Sequence, residues 1–185
     1  MTGLFGGAFD PPHNGHVALA EAAFAHFDLE RLVVLVAAAP GHRSVEADAD
    51  SRLSLARLAF GGLPNTEVVL DDHRRTVDTL RAERFDDPLF LVGADEFAGF
   101  LAWKDPNGVL ELARLGVATR PGYPRERLEP VLAQLERPNR VEFFEIPAVD
   151  ASSTDIRDRI RRGEDLGELL PDAVAREIEV AALYR

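Results

Sequence analysis

The sequence predicts an α/β fold: a parallel sheet of five to six strands, doubly wound by helices, with a small C-terminal helical cap. Three observations support this prediction. Short apolar runs alternate with longer amphipathic segments, most of these runs are apolar throughout, and no strand pattern follows Asp150. Strands that are apolar on both faces are typical of a parallel sheet covered on both sides.

The six apolar runs are predicted strands, and their spacing gives a repeated β–α alternation. They cover residues 2–6, 32–38, 67–71, 89–94, 115–119 and 141–146. Parallel neighbours need long, right-handed crossover connections, so the intervening segments are expected to place helices on both faces of one sheet.

The segments between and after the strands carry helix patterns. Predicted helices cover 15–27, 53–60, 76–85, two segments that begin at Pro106 and Pro124, then 153–162 and 171–182. Proline is favoured at a first helical position, and Gly163 is placed to end the helix before it. We interpret the 185 residues as a single domain, with an α/β core at 1–150 and a helical subregion at 151–185.

Composition excludes several classes of protein. The chain has 21 Lys+Arg against 32 Asp+Glu, a formal net charge of −11, so neither a nucleic acid nor a membrane is an expected partner. With no cysteine, disulfides, thiolate metal sites and a cysteine nucleophile are excluded. No leader pattern and no long apolar run occurs, so a cytoplasmic protein is expected. The sequence does not indicate an oligomeric state.

The lysine count bears on how phosphates could be bound. The only lysine is Lys104, and it follows a tryptophan. The Gly-Lys pair of the phosphate-binding loop is therefore absent, and a nucleoside triphosphate would have to be held by other groups.

The first strand runs into a candidate phosphate site, G-G-A-F-D-P-P-H-N-G-H at residues 6–16. Gly6 and Gly7 would let phosphates approach the backbone at the carboxyl end of the strand. His13 and His16 lie three apart at a helix start, so both rings face one side beside free N–H groups. The alternative is a plain turn with helix-start histidines. The glycine spacing does not fit a dinucleotide fingerprint, and no third zinc ligand is suitably placed.

A second motif, A-S-S-T-D-I-R, covers residues 151–157. Its hydroxyl residues suit a helix start, Asp155 falls in the first turn, and Arg157 lies one turn further on. Helix capping alone explains the hydroxyls, so this motif by itself leaves a structural interpretation open.

Together, H-x-G-H and S-S-T-x-x-R resemble the nucleotidyltransferase superfamily of adenylyl- and cytidylyltransferases. The segments between and after them occur in the order found in bacterial nicotinate mononucleotide adenylyltransferases, and the resemblance spans essentially the whole chain. These segments are P-G-H-R at 40–43, T-V-D-T-L at 76–80, V-G-A-D at 92–95, Trp103, T-R-P-G at 119–122 and L-L-P-D-A-V-A-R-E-I at 169–178.

The resemblance implies a Rossmann-like fold and the transfer of the adenylyl group of ATP to nicotinate mononucleotide, by direct in-line displacement of pyrophosphate. Mg²⁺ is then expected to arrive with ATP, and no protein ligand for a metal is predicted. Such chemistry requires mainly positioning and stabilisation of charge. Three alternatives stay open: transfer to nicotinamide mononucleotide, transfer to another small phosphate ester such as phosphopantetheine, and a non-catalytic nucleotide-binding module.

The resemblance also implies roles for individual residues. The catalytic set comprises His13 and His16, on the α- and β-phosphate oxygens, and Arg157, on the leaving pyrophosphate. The implied ATP-binding residues are Gly6, Gly7, Ala8, Phe9, Gly93, Asp95, Ser153 and Thr154. The implied mononucleotide-binding residues are His42, Arg43, Thr76, Trp103 and Arg120, with Trp103 stacked on the pyridine ring.

Three departures from the family pattern occur, at four positions. Arg43 stands where the family usually has lysine, and arginine presents a planar fork instead of a point charge. Arg74 and Arg75 precede Thr76 where Ser-Tyr is usual, which removes an aromatic ring and adds two cations. Ala151 replaces a branched residue before S-S-T. The sequence does not place Arg74 and Arg75 in or out of the pocket.

Overall fold

The computed structural model of the protein describes residues 1–41 and 44–185. Its six strands form one parallel sheet in the order β3-β2-β1-β4-β5-β6. The strands are β1 (Thr2–Gly7), β2 (Arg31–Ala37), β3 (Thr66–Asp71), β4 (Leu89–Gly93), β5 (Arg114–Thr119) and β6 (Val141–Glu145). The α/β prediction is confirmed, and each predicted strand is displaced by at most one residue at either end.

The described part of the chain also contains eight α-helices. They are α1 (Asn14–Phe27), α2 (Ala49–Phe60), α3 (Thr76–Glu83), α4 (Ala94–Ala98), α5 (Pro106–Leu112), α6 (Glu129–Leu132), α7 (Ser153–Arg162) and α8 (Asp172–Val180). None of the helices in this part of the chain is both long and apolar enough to cross a membrane.

Buried residues form one layer on each face of the sheet. On one face, side chains of β1 and β2 such as Phe5 and Val34 pack with α1, α2, α7 and α8. On the other face, Leu4, Val33 and Phe90 pack with α3, α4, α5 and α6. Consecutive strand residues therefore enter opposite layers, which is why the strand runs are apolar at every position.

The helix predictions differ from the structure by two residues or more in five places. Helix α2 begins at Ala49, four residues before its predicted start, with Asp48 as the capping residue, and α8 ends at Val180, two residues before its predicted end. The segment after Pro124 forms only a short 3₁₀ turn and the four-residue α6, because Pro130 lacks an N–H donor and restricts the residue before it. The helix predicted to reach residue 85 ends at Glu83, where Arg84 adopts a left-handed conformation with φ 48°. Helix α4 was not predicted, since it follows β4 directly without a loop.

The strand order positions the site. The connections from β1 and β4 leave in opposite directions along the sheet, so the order reverses between these two neighbours. Ligands of open α/β sheets bind at such a reversal, beyond the carboxyl ends of the strands.

Candidate active site

The crevice beyond β1 and β4 is lined on one side by the two glycines that end β1. A Cβ atom at Gly6 would lie 2.9 Å from the Phe90 ring, and one at Gly7 would lie 2.8 Å from the Phe9 ring. These distances are too short for any side chain, so packing against aromatic rings already requires glycine here. The structure thus adds a steric reason to the predicted approach of phosphate to the backbone.

Phe9 and Ala8 complete this turn. The Phe9 side chain is buried against Phe5 and Phe60, with φ 50° in the left-handed region. The Ala8 carbonyl accepts a hydrogen bond from Arg52 Nη1 at 2.8 Å. The backbone of this turn, and not the Phe9 ring, is therefore the part able to meet a nucleotide.

The two histidines lie together at the start of α1. Their rings are stacked, with centroids 3.7 Å apart and an interplanar angle of 29°. The backbone N–H of His13, the N-cap residue, donates to His16 Nδ1 at 3.1 Å. Since Nδ1 of His16 accepts, its neutral ring carries the proton on Nε2, which makes Nε2 a hydrogen-bond donor.

His13 is buried, with 8% of its surface exposed. Burial, followed by the positive charge of Arg120, lowers the pKa of His13 to about 4, so the ring is neutral at pH 7. Its Nδ1 atom has no hydrogen-bond partner among the residues that the structure describes. A neutral, unsatisfied imidazole beside a helix N-terminus is suited to an incoming oxygen ligand.

Gly15 explains the H-x-G-H pattern sterically. A Cβ atom there would lie 3.0 Å from His13 Nδ1 and 3.8 Å from the carbonyl oxygen of Ala151. The first distance is tight for a Cβ atom, so glycine favours the close approach of the His13 ring, whereas the second is an ordinary van der Waals contact.

The second motif lies directly against the first. Ser152 is the N-cap of α7, and its Oγ accepts from Asp155 N at 3.1 Å, as a capping residue should. Ser153 makes a contact that helix capping does not explain: its Oγ donates to the Pro11 carbonyl at 2.9 Å. Arg157 Nη1 donates to the Asp10 carbonyl at 2.7 Å. Thr154 is exposed in the first turn of α7.

Arg157 is held by a second group, the carboxylate of Glu46. Arg157 Nε donates to Glu46 Oε1 at 2.8 Å, and Arg161 also donates to Glu46. The hydrogen bond from Arg161, and next that from Arg157, lowers the pKa of Glu46. In the described structure Nη2 of Arg157 donates to no protein group, so this atom can serve a ligand.

We call His13, His16, Arg157 and the N-termini of α1 and α7 the proposed phosphate side of the crevice. Four residues that support it were not predicted from the sequence: Asp10, Glu46, Arg52 and Tyr184. For Arg52 a signal existed, because position 52 shares the buried face of α2 with Leu55, Ala56, Ala59 and Phe60. An arginine on an apolar helix face indicates a buried charge with specific partners. Tyr184 carries no comparable signal.

The residues predicted for the other side of the crevice follow the ends of β4, β5 and β3. Gly93 ends β4, and a Cβ atom added there would meet nothing within 4 Å. Asp95 is exposed in the first turn of α4, and Arg120 is exposed directly after β5. Thr76, half-buried, is the first residue of α3.

Trp103 is half-buried. Its ring packs edge-on against Phe100 and Phe90, with centroids 5.2 and 6.3 Å apart. One part of the indole is thus fixed by the second core layer. Arg74 and Arg75 are exposed, and the Arg75 guanidinium lies near Gly41. His42 and Arg43 lie outside the described residues.

The fold and these groups define the class: an α/β protein that brings two histidines, an arginine and the N-termini of α1 and α7 together beyond the carboxyl end of β1. Comparison with known proteins is consistent with this class. The model of the cytidylyltransferase-like family matches residues 4–159. A probable nicotinate-nucleotide adenylyltransferase of Rubrobacter xylanophilus is 37% identical, over 100% of this chain and 92% of the relative. One of Bordetella avium is also 37% identical, over 99% and 97%.

Solved structures agree in fold. The nicotinic acid mononucleotide adenylyltransferase of Plasmodium falciparum, complexed with NaAD, superposes with a TM-score of 0.78 at 15% identity, over 99% of this chain and 96% of that one. The chain therefore belongs to the cytidylyltransferase-like family and, within it, to the nicotinate-nucleotide adenylyltransferases, as its motifs predicted.

Proposed function

We propose that the protein transfers the adenylyl group of Mg²⁺-ATP to nicotinate mononucleotide, giving nicotinate adenine dinucleotide and pyrophosphate. A phosphate oxygen of the mononucleotide forms a bond to the α-phosphorus, and the bond from that phosphorus to the oxygen bridging to the β-phosphate breaks. The observation that carries the proposal is full-length identity of 37% with nicotinate-nucleotide adenylyltransferases, combined with the stacked histidines at the sheet reversal.

The phosphate side acts by donating hydrogen bonds to oxygens on which charge develops. His16 carries its proton on Nε2, and this N–H group donates a hydrogen bond to the α-phosphate. His13 contributes a second, neutral imidazole. The N-termini of α1 and α7 add backbone N–H groups and the positive ends of their dipoles. Donors fixed before the reaction stabilise the transition state without reorganising during it.

Arg157 binds the departing pyrophosphate in this proposal. Its Nε and Nη1 atoms are fixed by Glu46 and by the Asp10 carbonyl, which leaves Nη2 for the β- and γ-phosphates. Mg²⁺ enters as part of the ATP substrate. Among the described residues, no three histidine, aspartate, glutamate or cysteine side chains lie together as a possible ion site.

The mononucleotide occupies the side formed by the ends of β3, β4 and β5. Trp103 stacks on the pyridine ring, while Thr76 and Arg120 contact the carboxylate and phosphate. Arg120 is close enough to His13 to lower the pKa of that ring, so its charge reaches the centre of the crevice. A cation there favours the acid over the amide form of the substrate.

The experiment is an assay of pyrophosphate release. The protein is incubated with Mg²⁺-ATP and, separately, with nicotinate mononucleotide, nicotinamide mononucleotide or phosphopantetheine; a reaction without acceptor is the control. We expect release with nicotinate mononucleotide, at a higher kcat/KM than with the amide. Release with phosphopantetheine alone would move the protein to another substrate class, and release with no acceptor at all would contradict the assignment as a transferase.

A further inference from the structure

The buried carboxylate of Asp10, in the turn between β1 and α1, is hydrogen-bonded to Tyr184, which is far from it in the sequence. Asp10 is 3% exposed. Its Oδ1 accepts from the Tyr184 hydroxyl at 2.8 Å and from Ala47 N at 3.1 Å, while Oδ2 accepts from Glu46 N at 2.7 Å. A carboxylate this deeply buried is tolerated only with such a full set of donors.

The Tyr184 hydroxyl is the only side-chain group that donates to this carboxylate within hydrogen-bond distance in the described structure. Tyr184 is 7% exposed and precedes the last residue of the chain. Burial and the hydrogen bond to Asp10 raise the pKa of Tyr184, so its hydroxyl stays protonated as a donor.

The backbone at Tyr184 is strained, with φ 64° in the left-handed region that a bulky residue rarely occupies. Such strain persists where surrounding contacts over-determine the conformation. Here the buried ring and the hydroxyl bond to Asp10 are those contacts. These contacts thus hold Tyr184 in an unfavourable backbone conformation in which its hydroxyl donates to the Asp10 carboxylate.

Asp10 in turn holds the groups of the phosphate side. Its own carbonyl accepts from Arg157 Nη1, and the next carbonyl, of Pro11, accepts from Ser153 Oγ. Its carboxylate binds the backbone of Glu46, whose side chain accepts from Arg157 Nε. Arg157 Nη1 also lies 3.9 Å from Asp10 Oδ2, so the hydrogen bonds and the ion pair that orient the Arg157 guanidinium all depend on where Asp10 lies.

We propose that Tyr184 is a positioning residue of the transferase: by donating to Asp10 it fixes the two acceptors that orient Arg157 toward the leaving pyrophosphate. This inference rests on the proposed function for its kinetic consequence, although the contacts do not. It assigns a role to a residue 168 positions from His16 that touches neither substrate.

Tyr184→Phe tests this role, because the substitution removes the donor and keeps the ring. We expect kcat to fall by about tenfold, as small displacements of catalytic groups do, while KM for the mononucleotide changes by less than roughly twofold. In an Arg157→Lys background the same substitution should cost no more than roughly a further twofold, since the group it positions is already altered.

A matched control separates positioning from general loss of stability. Ile178→Val removes one methylene from a buried side chain of α8 and leaves the hydroxyl bond to Asp10 in place. It should lower the Tm and leave kcat unchanged when both variants are assayed well below their unfolding midpoints. Tyr184→Phe should lower kcat under the same conditions.

Binding of inorganic pyrophosphate, measured by calorimetry, gives a readout that does not require turnover. We expect weaker binding to Tyr184→Phe than to the wild type and to Ile178→Val. Unchanged kcat and unchanged pyrophosphate affinity, or an equal loss of kcat in both Arg157 backgrounds, would overturn the proposal. A wild type that releases no pyrophosphate would contradict the function, and the calorimetric comparison would still decide the role of Tyr184.

Discussion

At the scale of single residues, the phosphate side depends on controlling the protonation of two adjacent imidazoles. His16 Nδ1 accepts the His13 backbone N–H, which places the His16 proton on Nε2. His13 is kept neutral by burial and by the charge of Arg120. Two stacked rings would repel each other if both were charged, so the neutral state also permits the 3.7 Å approach.

His16→Ala removes the donor that we assign to the α-phosphate. We expect kcat to fall by about 10²-fold or more, the usual cost of losing one fixed transition-state donor. Steady-state kinetics give kcat, and circular dichroism shows whether the variant is folded. A folded variant with wild-type kcat would remove His16 from the reaction.

The low pKa of His13 makes stability depend on pH. An unfolded histidine titrates near 6.5 and the folded one near 4, so between these values the unfolded state binds more protons. The contribution of neutral His13 is complete above pH 6.5 and is lost as the pH falls toward 4. At about 1.4 kcal/mol per pH unit, the loss reaches about 3 kcal/mol.

Urea unfolding of the wild type and of His13→Asn, between pH 7 and pH 4, measures this effect. The decline in unfolding free energy should be smaller in His13→Asn. The matched control is Val180→Asn at the exposed end of α8, which changes no titratable group and should keep the wild-type dependence. Parallel curves for the wild type and His13→Asn would contradict the assignment.

At the scale of elements, Arg52 of α2 connects three segments that meet at the carboxyl edge of the sheet. It has no exposed surface, and its guanidinium donates to four carbonyls, with distances from 2.8 to 3.1 Å: those of Ala8, Ala37, Ala38 and Ala47. These carbonyls lie at the last residue of β2, just beyond β1 and β2, or directly before α2, where regular strand and helix bonding ends. The planar fork of arginine suits this arrangement, and burial lowers the pKa of Arg52.

Arg52→Lys keeps the positive charge but replaces the planar, forked guanidinium donors with a single ammonium group. A lysine cannot reach all four carbonyls, and because each orphaned polar group is costly, the free energy of unfolding should fall by about 3 kcal/mol. Arg57→Lys, on the exposed face of α2, is the control and should change it by less than about 0.5 kcal/mol. Urea denaturation compares them. Equal effects would show that the four bonds contribute little.

A substitution at Gly93, at the end of β4, tests whether glycine is needed there for ATP binding or for folding. A Cβ atom there meets open space, so Gly93→Ala should alter stability by less than about 0.5 kcal/mol. If the nucleotide lies against this backbone, the methyl group should raise KM for ATP about tenfold. Gly62→Ala, also in open space but after α2, is the matched control. Equal KM values for the two variants would place ATP elsewhere.

At the scale of the whole molecule, the C-terminal helices share a core layer with the first strands. Ile156 of α7 and Val174 and Ile178 of α8 belong to the same buried layer as Phe5 and Val34. The cap therefore completes the core on this face of the sheet. We predict from this packing that residues 1–150 and 151–185 unfold together.

Ile178→Ala tests this cooperativity. The only tryptophan, Trp103, lies in the layer on the opposite face of the sheet. If the chain unfolds as one unit, the variant should lose about 3 kcal/mol whether unfolding is followed by Trp103 fluorescence or by far-ultraviolet circular dichroism. A Trp103 transition that is unchanged by the substitution would show two independent units.

The acidic composition of the whole molecule is compatible with anionic substrates if positive charge is gathered in one place. The chain carries a net charge of −11, which argued against polyanionic macromolecules as partners. In the proposed site, Arg157, Arg120 and the N-termini of α1 and α7 would instead concentrate positive charge in the crevice. Glu46 partly offsets this charge by accepting from Arg157.

The sequence by itself determined the sheet, the family and the two motifs that we assign to phosphate. Strands buried on both faces are apolar throughout, so their positions could be predicted to within one residue. The H-x-G-H and S-S-T-x-x-R motifs are local, because neighbouring residues on one helix start must lie together whatever the rest of the chain does. Short helices were less predictable, since proline spacing and left-handed residues decide where they end.

Only the tertiary structure decided what supports these motifs. The bond from Ser153 to Pro11, the buried guanidinium of Arg52 and the hydroxyl of Tyr184 on Asp10 join residues far apart in the chain. No spacing rule relates such residues, because their proximity results from how strands and helices pack. The residues that we assign to phosphate could therefore be proposed from sequence, whereas those that hold them in place could be found only in the folded molecule.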